Sequence, residues 1–151
     1  MSQAAALLDT DIFSELLKQH PQVTHRTRLY LAEHGRLTFS IITRYEILRG
    51  LKVKQARTQE AAFDALCQGC VILPLTDRII ERAATLYAEL YRRGALLPDA
   101  DLLIAATALD AQLTVATNNL AHFQRIPNIG RGIVEIAIGR NRSVAWSAEG
   151  T

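Results

Sequence analysis

Short apolar bursts separated by stretches of helical periodicity run the length of this chain, and that alternation limits its fold more than any other feature. Residues 4–8 read as a buried strand, followed by a helix over 10–18 and a break at Pro21. A second helix is expected over 23–34, where Gly35 stops it, and 37–39 form a brief strand. Ser40 is placed to cap a helix over 41–53. A helix over 55–66 leads through Gly69 to a strand over 71–73, and Thr76 or Asp77 caps a long helix ending near Arg93 and Gly94. Pro98 and Asp99 open a helix to Asp110, residues 113–116 form a strand, and 133–138 form the last one. Strands alternating with helices imply an α/β fold, with a central, mostly parallel sheet of about four to five strands flanked by helices on both faces. In such sheets the working site lies beyond the carboxyl ends of the strands.

Composition narrows the class further. At 151 residues the chain is one domain, long enough to bury a core. With 49% hydrophobic and 21% charged residues it is a soluble globular sequence rather than a disordered one. A net charge of +2 does not announce a nucleic-acid binder, yet a local basic cleft is compatible with it. Residues 1–8 lack the basic start of a signal peptide, and no apolar run approaches the roughly 18 residues of a membrane span. A cytoplasmic location is therefore expected, with no membrane partner. The domain is expected to occupy 1–138, leaving 139–151 as a basic tail without a core pattern. Cys67 and Cys70 have Cys-x-x-Cys spacing, but no second pair at zinc-ligand spacing exists and the motif sits at a helix end. They read as reduced, structural thiols. His20, His25, His34 and His122 are scattered without the i, i+4 spacing of paired zinc ligands.

Three acids stand where apolar elements give way to polar ones. Asp9 follows the first strand, where it serves equally well as a helix N-cap or as a site residue. Asp11 is at home as a first-turn acid favoured by the helix dipole. Stepping about 100° per residue, Ile41, Tyr45 and Leu48 share one helix face, and Glu46 lies at its edge, about 40° from Ile42. Glu46 reads either as an acid turned to a cleft or as a surface partner of Arg49 at i+3. Asp99 is the better cap for its helix, which leaves Asp101 in the first turn, ahead of the apolar run that anchors the helix to the sheet. Carboxylates from distant segments meeting at one sheet mouth are how a magnesium site for phosphodiester chemistry is built.

Four blocks taken together carry a resemblance: Leu7-Leu8-Asp9-Thr10-Asp11, Tyr45-Glu46-Ile47-Leu48-Arg49-Gly50, Asp101-Leu102-Leu103-Ile104-Ala105-Ala106-Thr107-Ala108, and Thr117-Asn118-Asn119-Leu120-Ala121-His122-Phe123. Their order and spacing resemble the PIN-domain signature, and within it the VapC-type toxins of bacterial toxin–antitoxin pairs. The resemblance implies a Mg²⁺-dependent endoribonuclease, with Mn²⁺ as the alternative cation, held inactive by a cognate antitoxin and commonly a homodimer. By the same carry-over Asp9, Glu46 and Asp101 are the metal-binding and catalytic acids, with Asp99 as an extra. Where many members have a fourth acid this chain has Asn119, which brings no charge to offset a second cation and so favours one tightly held metal. Thr10 and Thr117 are placed to hydrogen-bond a ligating carboxylate or a phosphate.

A cation held this way lowers the pKa of a water and offsets charge building on the phosphorus, so no histidine base is required. Basic residues should ring such a site for RNA: Arg44, Arg49 and Lys52 on the Glu46 helix, with Lys54 and Arg57 after it, or Arg125, Arg131, Arg140 and Arg142 later. Each reads equally as a solvated surface charge. The early helices, through Ile12, Phe13, Leu16, Leu17, Leu29, Tyr30 and Leu31, carry more apolar positions than one buried stripe needs, as a partner-covered surface would. Two alternatives remain open. The Asp9-Thr10-Asp11 opening resembles haloacid-dehalogenase-type phosphotransferases, although Ile12-Phe13 follows and no lysine occurs after Lys54. A PIN fold acting only as an interaction module is the other, and three intact acids speak against it.

Overall fold

Five parallel strands form the centre of the computed structural model, which describes residues 3–127, 129 and 133–135. They are β1 (Ala6–Leu8), β2 (Thr38–Ser40), β3 (Val71–Leu73), β4 (Thr114–Thr117) and β5 (Ile133–Glu135), in the order β3-β2-β1-β4-β5. In register, Leu8 stands between Phe39 and Ala116, and Leu7 between Thr38 and Val115. Seven helices accompany them among the described residues: α1 (Thr10–Leu17), α2 (Pro21–His34), α3 (Ile41–Val53), α4 (Arg57–Gln68), α5 (Asp77–Arg92), α6 (Asp99–Ala111) and α7 (Leu120–Phe123).

Because strand side chains alternate between faces, β1 splits its residues between two cores. Leu7 joins Val115 under α5 and α6, where Leu86, Leu90 and Ile104 are buried. Ala6 and Leu8 face the other way, into a core made with α1 to α4. At its centre Phe13 lies 4.6 Å from Phe39 and 5.8 Å from Phe63, centroid to centroid. Such tilted and edge-on contacts suit the ring quadrupoles. Both cores pack against β1, one on each face, so the residue that follows it is held from two sides.

Several boundaries differ from the sequence expectation. α2 starts at Pro21 itself, because proline is well suited to the first helical position. α4 starts at Arg57 and runs to Gln68, since Gln55 adopts a left-handed φ of 53° that no helix can include. In α3 the buried face is Thr43, Ile47 and Leu51, not Ile41, Tyr45 and Leu48; Tyr45 is 58% exposed. Thr43 misleads a hydropathy reading because its hydroxyl is satisfied inside the protein. Pro98 takes the N-cap position of α6 with no side-chain cap, so Asp99 is the first helical residue and not the cap. The one-turn helix α7 was not expected at all. Residues 136–138 of the expected last strand and the tail 139–151 lie outside the described residues. Cys67 and Cys70 are free thiols, and burial pushes Cys70 up to about 11, away from a reactive thiolate.

Candidate active site

Strand order reverses between β1 and β4, and at such a switch point the carboxyl ends of the strands part to leave a crevice. Asp9 follows β1 there and Thr117 ends β4 beside it. Asp9 is only 4% exposed and caps α1, its Oδ1 accepting from the Thr10 amide at 2.8 Å. Its Oδ2 accepts from the Thr117 hydroxyl at 2.8 Å, and that hydroxyl in turn accepts from the Asn119 amide at 2.8 Å. Cap and site residue are thus one residue, aimed by the strand pair.

Burial first, then the charges of Asp11 and Asp101, push the Asp9 carboxyl up to about 8, against the two hydrogen bonds that favour its anion. Asp11 is also raised, chiefly by burial. It accepts from the Ile12 amide at 2.7 Å and the Asn118 amide at 3.2 Å, which draws it into the crevice. The first-turn surface role expected for Asp11 is therefore not the one it has.

Asp101 comes from the first turn of α6 and its side chain is 18% exposed. Its Oδ2 lies 2.8 Å from His122 Nδ1, and the Asn119 side-chain nitrogen lies 2.7 Å from the same Nδ1. An imidazole nitrogen carries either a proton or a lone pair, so it serves Asp101 or Asn119 but not both at once. His122 was not expected in the site. Its signal was its offset of three residues from Asn119, one helical turn, but a four-residue helix is too short to read from periodicity.

Glu46 approaches from α3, with a side chain 19% exposed. The Thr10 hydroxyl donates to its Oε1 at 2.7 Å, and Thr43 Oγ1 supports Thr10 from 3.0 Å. With Thr10 spending its proton on Glu46, Thr43 is the donor of that second bond. Asp99 is exposed and takes part in none of the hydrogen bonds that join these acids. Among the described residues no three His, Cys, Asp or Glu side chains already close a metal cage. Asp101 is turned to His122 and Glu46 to Thr10, while Asp9 and Asp11 feel each other most strongly. The donor set itself, hard carboxylate and hydroxyl oxygens around a buried anion, fits a small divalent cation.

Of the basic residues, Arg49 reaches Glu46 Oε2 at 3.5 Å from an exposed position. Arg44 and Lys52 do not ring the acids. Arg44 binds Asp64 at 2.9 Å and Cys67 at 3.2 Å, and Lys52 pairs with Glu60, so both join α3 to α4. Arg125 contacts none of the acids: it donates to the Leu96 carbonyl at 3.1 Å, while Arg93 donates to the Arg125 carbonyl at 2.7 Å. Arg131, Arg140 and Arg142 lie outside the described residues.

A family model described as the PIN domain matches residues 6–129. A curated relative from Rickettsia felis, ribonuclease VapC2, is 28% identical over 124 residues, which are 82% of this chain and 92% of the relative. The crystal structure of VapBC2 from Rickettsia felis, bound to a DNA fragment from their promoter, contains a chain that superposes with a TM-score of 0.77 at 25% identity, covering 87% of this chain and 98% of that one. A chain in a toxin–antitoxin complex from Klebsiella pneumoniae matches with a TM-score of 0.69 at 27% identity, covering 87% of this chain and all of that one.

Proposed function

The chain belongs to the PIN-domain family, and on that premise we propose that it is a divalent-cation-dependent endoribonuclease, the toxin of a toxin–antitoxin pair neutralised by a cognate antitoxin. The observation that carries this reading is Asp9, buried at 4% exposure and held by Thr10 and Thr117 in the crevice with Asp11 and Asp101. The groups acting most strongly on it are burial, two like charges and two hydrogen bonds, and none of these is a cation. A buried carboxylate in that state takes up either a proton or a metal ion.

Asp9, Glu46 and Asp101 are the residues that would hold Mg²⁺, or Mn²⁺ in its place, with Asp11 adjoining. Bound there, a divalent cation supplies an acidified water and neutralises charge on the phosphoryl oxygens. The chain's own contribution is positioning. Thr117 and the Thr10 amide fix the direction of Asp9, the Thr10 hydroxyl holds Glu46, and His122 holds Asp101. Asn119 brings no charge, and its backbone amide supports Thr117, which favours a single firmly held cation. Arg49, exposed and 3.5 Å from Glu46, is the basic residue placed to meet an RNA phosphate.

The partners follow from the relatives, which include a ribonuclease and a toxin seen with its antitoxin. Leu29 is exposed on α2, an apolar position open to a partner chain, either an antitoxin or a second copy in a homodimer. No helix among the described residues is long and apolar enough to cross a membrane. Free thiols at Cys67 and Cys70 suit a reducing, cytoplasmic compartment. The test is cleavage of a random-sequence RNA pool in Mg²⁺, Mn²⁺ or EDTA, with Asp9→Asn and Asp101→Asn beside the wild type. Cation-dependent cutting that falls at least 100-fold in both variants is expected; an RNA pool left intact by the wild type in both cations overturns the reading.

A further inference from the structure

We propose that the cleft between α1 and α3, next to Glu46, is a nucleobase pocket that receives the base of a nucleotide adjoining the cut phosphodiester, an assignment that rests on the ribonuclease reading above. The cleft has a volume of about 170 Å³ and is walled by Thr10, Ser14, Glu46, Gly50 and Lys54, over a floor of Ile47 and Leu51. It is several times the roughly 30 Å³ that one water occupies in the liquid. An apolar floor with a few polar groups at the edge is the arrangement by which proteins read an unstacked base. Thr10 joins this cleft to the site, its amide donating to Asp9 and its hydroxyl to Glu46, so a strand with its phosphate at Asp9 brings a neighbouring base to this cleft.

Gly50 supports the assignment independently. It lies inside α3, four residues beyond Glu46, where glycine disfavours the helix by about 1 kcal/mol relative to alanine. A Cβ built on Gly50 meets nothing within 4 Å, and its backbone is not in the left-handed region. Neither packing nor backbone geometry calls for glycine there. What its missing side chain does is leave the cleft open beside Glu46.

The wall chemistry also selects among bases. A carboxylate only accepts hydrogen bonds, so it favours a base with amino hydrogens on its Watson–Crick edge. Against Glu46 uracil is the poorer match, because its one edge N–H is flanked by two carbonyl oxygens, whereas Lys54 donates to a carbonyl of any base that carries one. The Ser14 hydroxyl can donate or accept at the opposite wall.

The test uses Gly50→Ala and Gly50→Leu beside the wild type, with a random-sequence RNA pool, Mn²⁺, and sequencing of the cut ends. The wild type is expected to prefer an amino-bearing base at one position flanking the cut. Gly50→Leu is expected to melt no lower than the wild type and to bind Mn²⁺ equally, yet to cut the preferred sequence at least 10-fold more slowly with the preference flattened. Gly50→Ala should fall between. Wild-type rate and preference in Gly50→Leu overturn the pocket, leave the nuclease reading standing and hand the cleft to a protein side chain. Equal slowing at all sequences with the preference intact overturns it too, and a wild type that cuts no RNA overturns both readings.

Discussion

The surroundings of Asp9 oppose its charged form, and the protein's response to pH should show it. Its folded carboxyl sits at about 8 against an ordinary value of 3.8. Between those values the unfolded chain has released the proton that the folded chain keeps, so stability falls as pH rises through that window. We expect the melting temperature of the EDTA-treated protein to drop from pH 5 to pH 8, and to drop less steeply in Asp9→Asn. Asp11, shifted the same way, leaves a residual slope in the variant; an unchanged slope would show that Asp9 is not the titrating group. His122 acts through Asp101 and is a positioning residue. Removing a partner of a metal ligand typically weakens metal binding about 10- to 100-fold, so calorimetry should find His122→Ala binding Mn²⁺ about 10-fold more weakly while its melting temperature in EDTA stays near wild type. The sequence displayed Asp9, Glu46 and Asp101 because each begins or lies within a readable helix. It concealed Asp11 and His122, whose roles come from contacts with Asn118 and Asp101 more than 20 residues away.

Elements carry these residues, and their ends decide where the residues point. α3 begins at Ser40, whose Oγ accepts from the Ile42 amide at 3.1 Å. Ser40→Ala should remove about 1 kcal/mol of stability and lower the melting temperature by roughly 2–4 °C in a chain of this size; no change in a thermal scan would mean that water replaces the cap. That cap was legible from a serine ahead of an apolar run, whereas the buried face of α3 was not. Hydropathy ranks Ile41 and Tyr45 above Thr43, yet Thr43 is fully buried because Thr10 accepts its hydroxyl proton. At the other flank, α7 is too short to persist on its own. Bonds from Arg93 to the Arg125 carbonyl, from Arg125 to the Leu96 carbonyl and between His122 and Asp101 join it and the residues after it to the segment from Arg93 to Asp101, so its position and that of Asp101 are set together.

On the scale of the whole molecule, the site exists only because three distant segments meet at one switch point. A cation that bridges them should stabilise the entire fold. At a concentration 100 times its dissociation constant, a ligand specific to the folded state adds about 2.7 kcal/mol. We therefore expect saturating Mn²⁺ to raise the melting temperature by roughly 5–10 °C, and this rise to be lost in Asp101→Asn. An equal rise in the variant would place the cation elsewhere. The parallel sheet with helices on both faces was determined by the sequence alone, because strand and helix periods differ and each apolar face must be covered. So were the acids at the ends of apolar runs. The tertiary structure decided which acids share a crevice, that Glu46 is held through Thr10 and Asp101 through His122, and that Arg44 and Lys52 serve α4 rather than the site. These outcomes depend on the strand order β3-β2-β1-β4-β5 and on helix rotations of a fraction of a turn. Local periodicity carries no information about either, since a side chain's partner is chosen by which elements pack side by side.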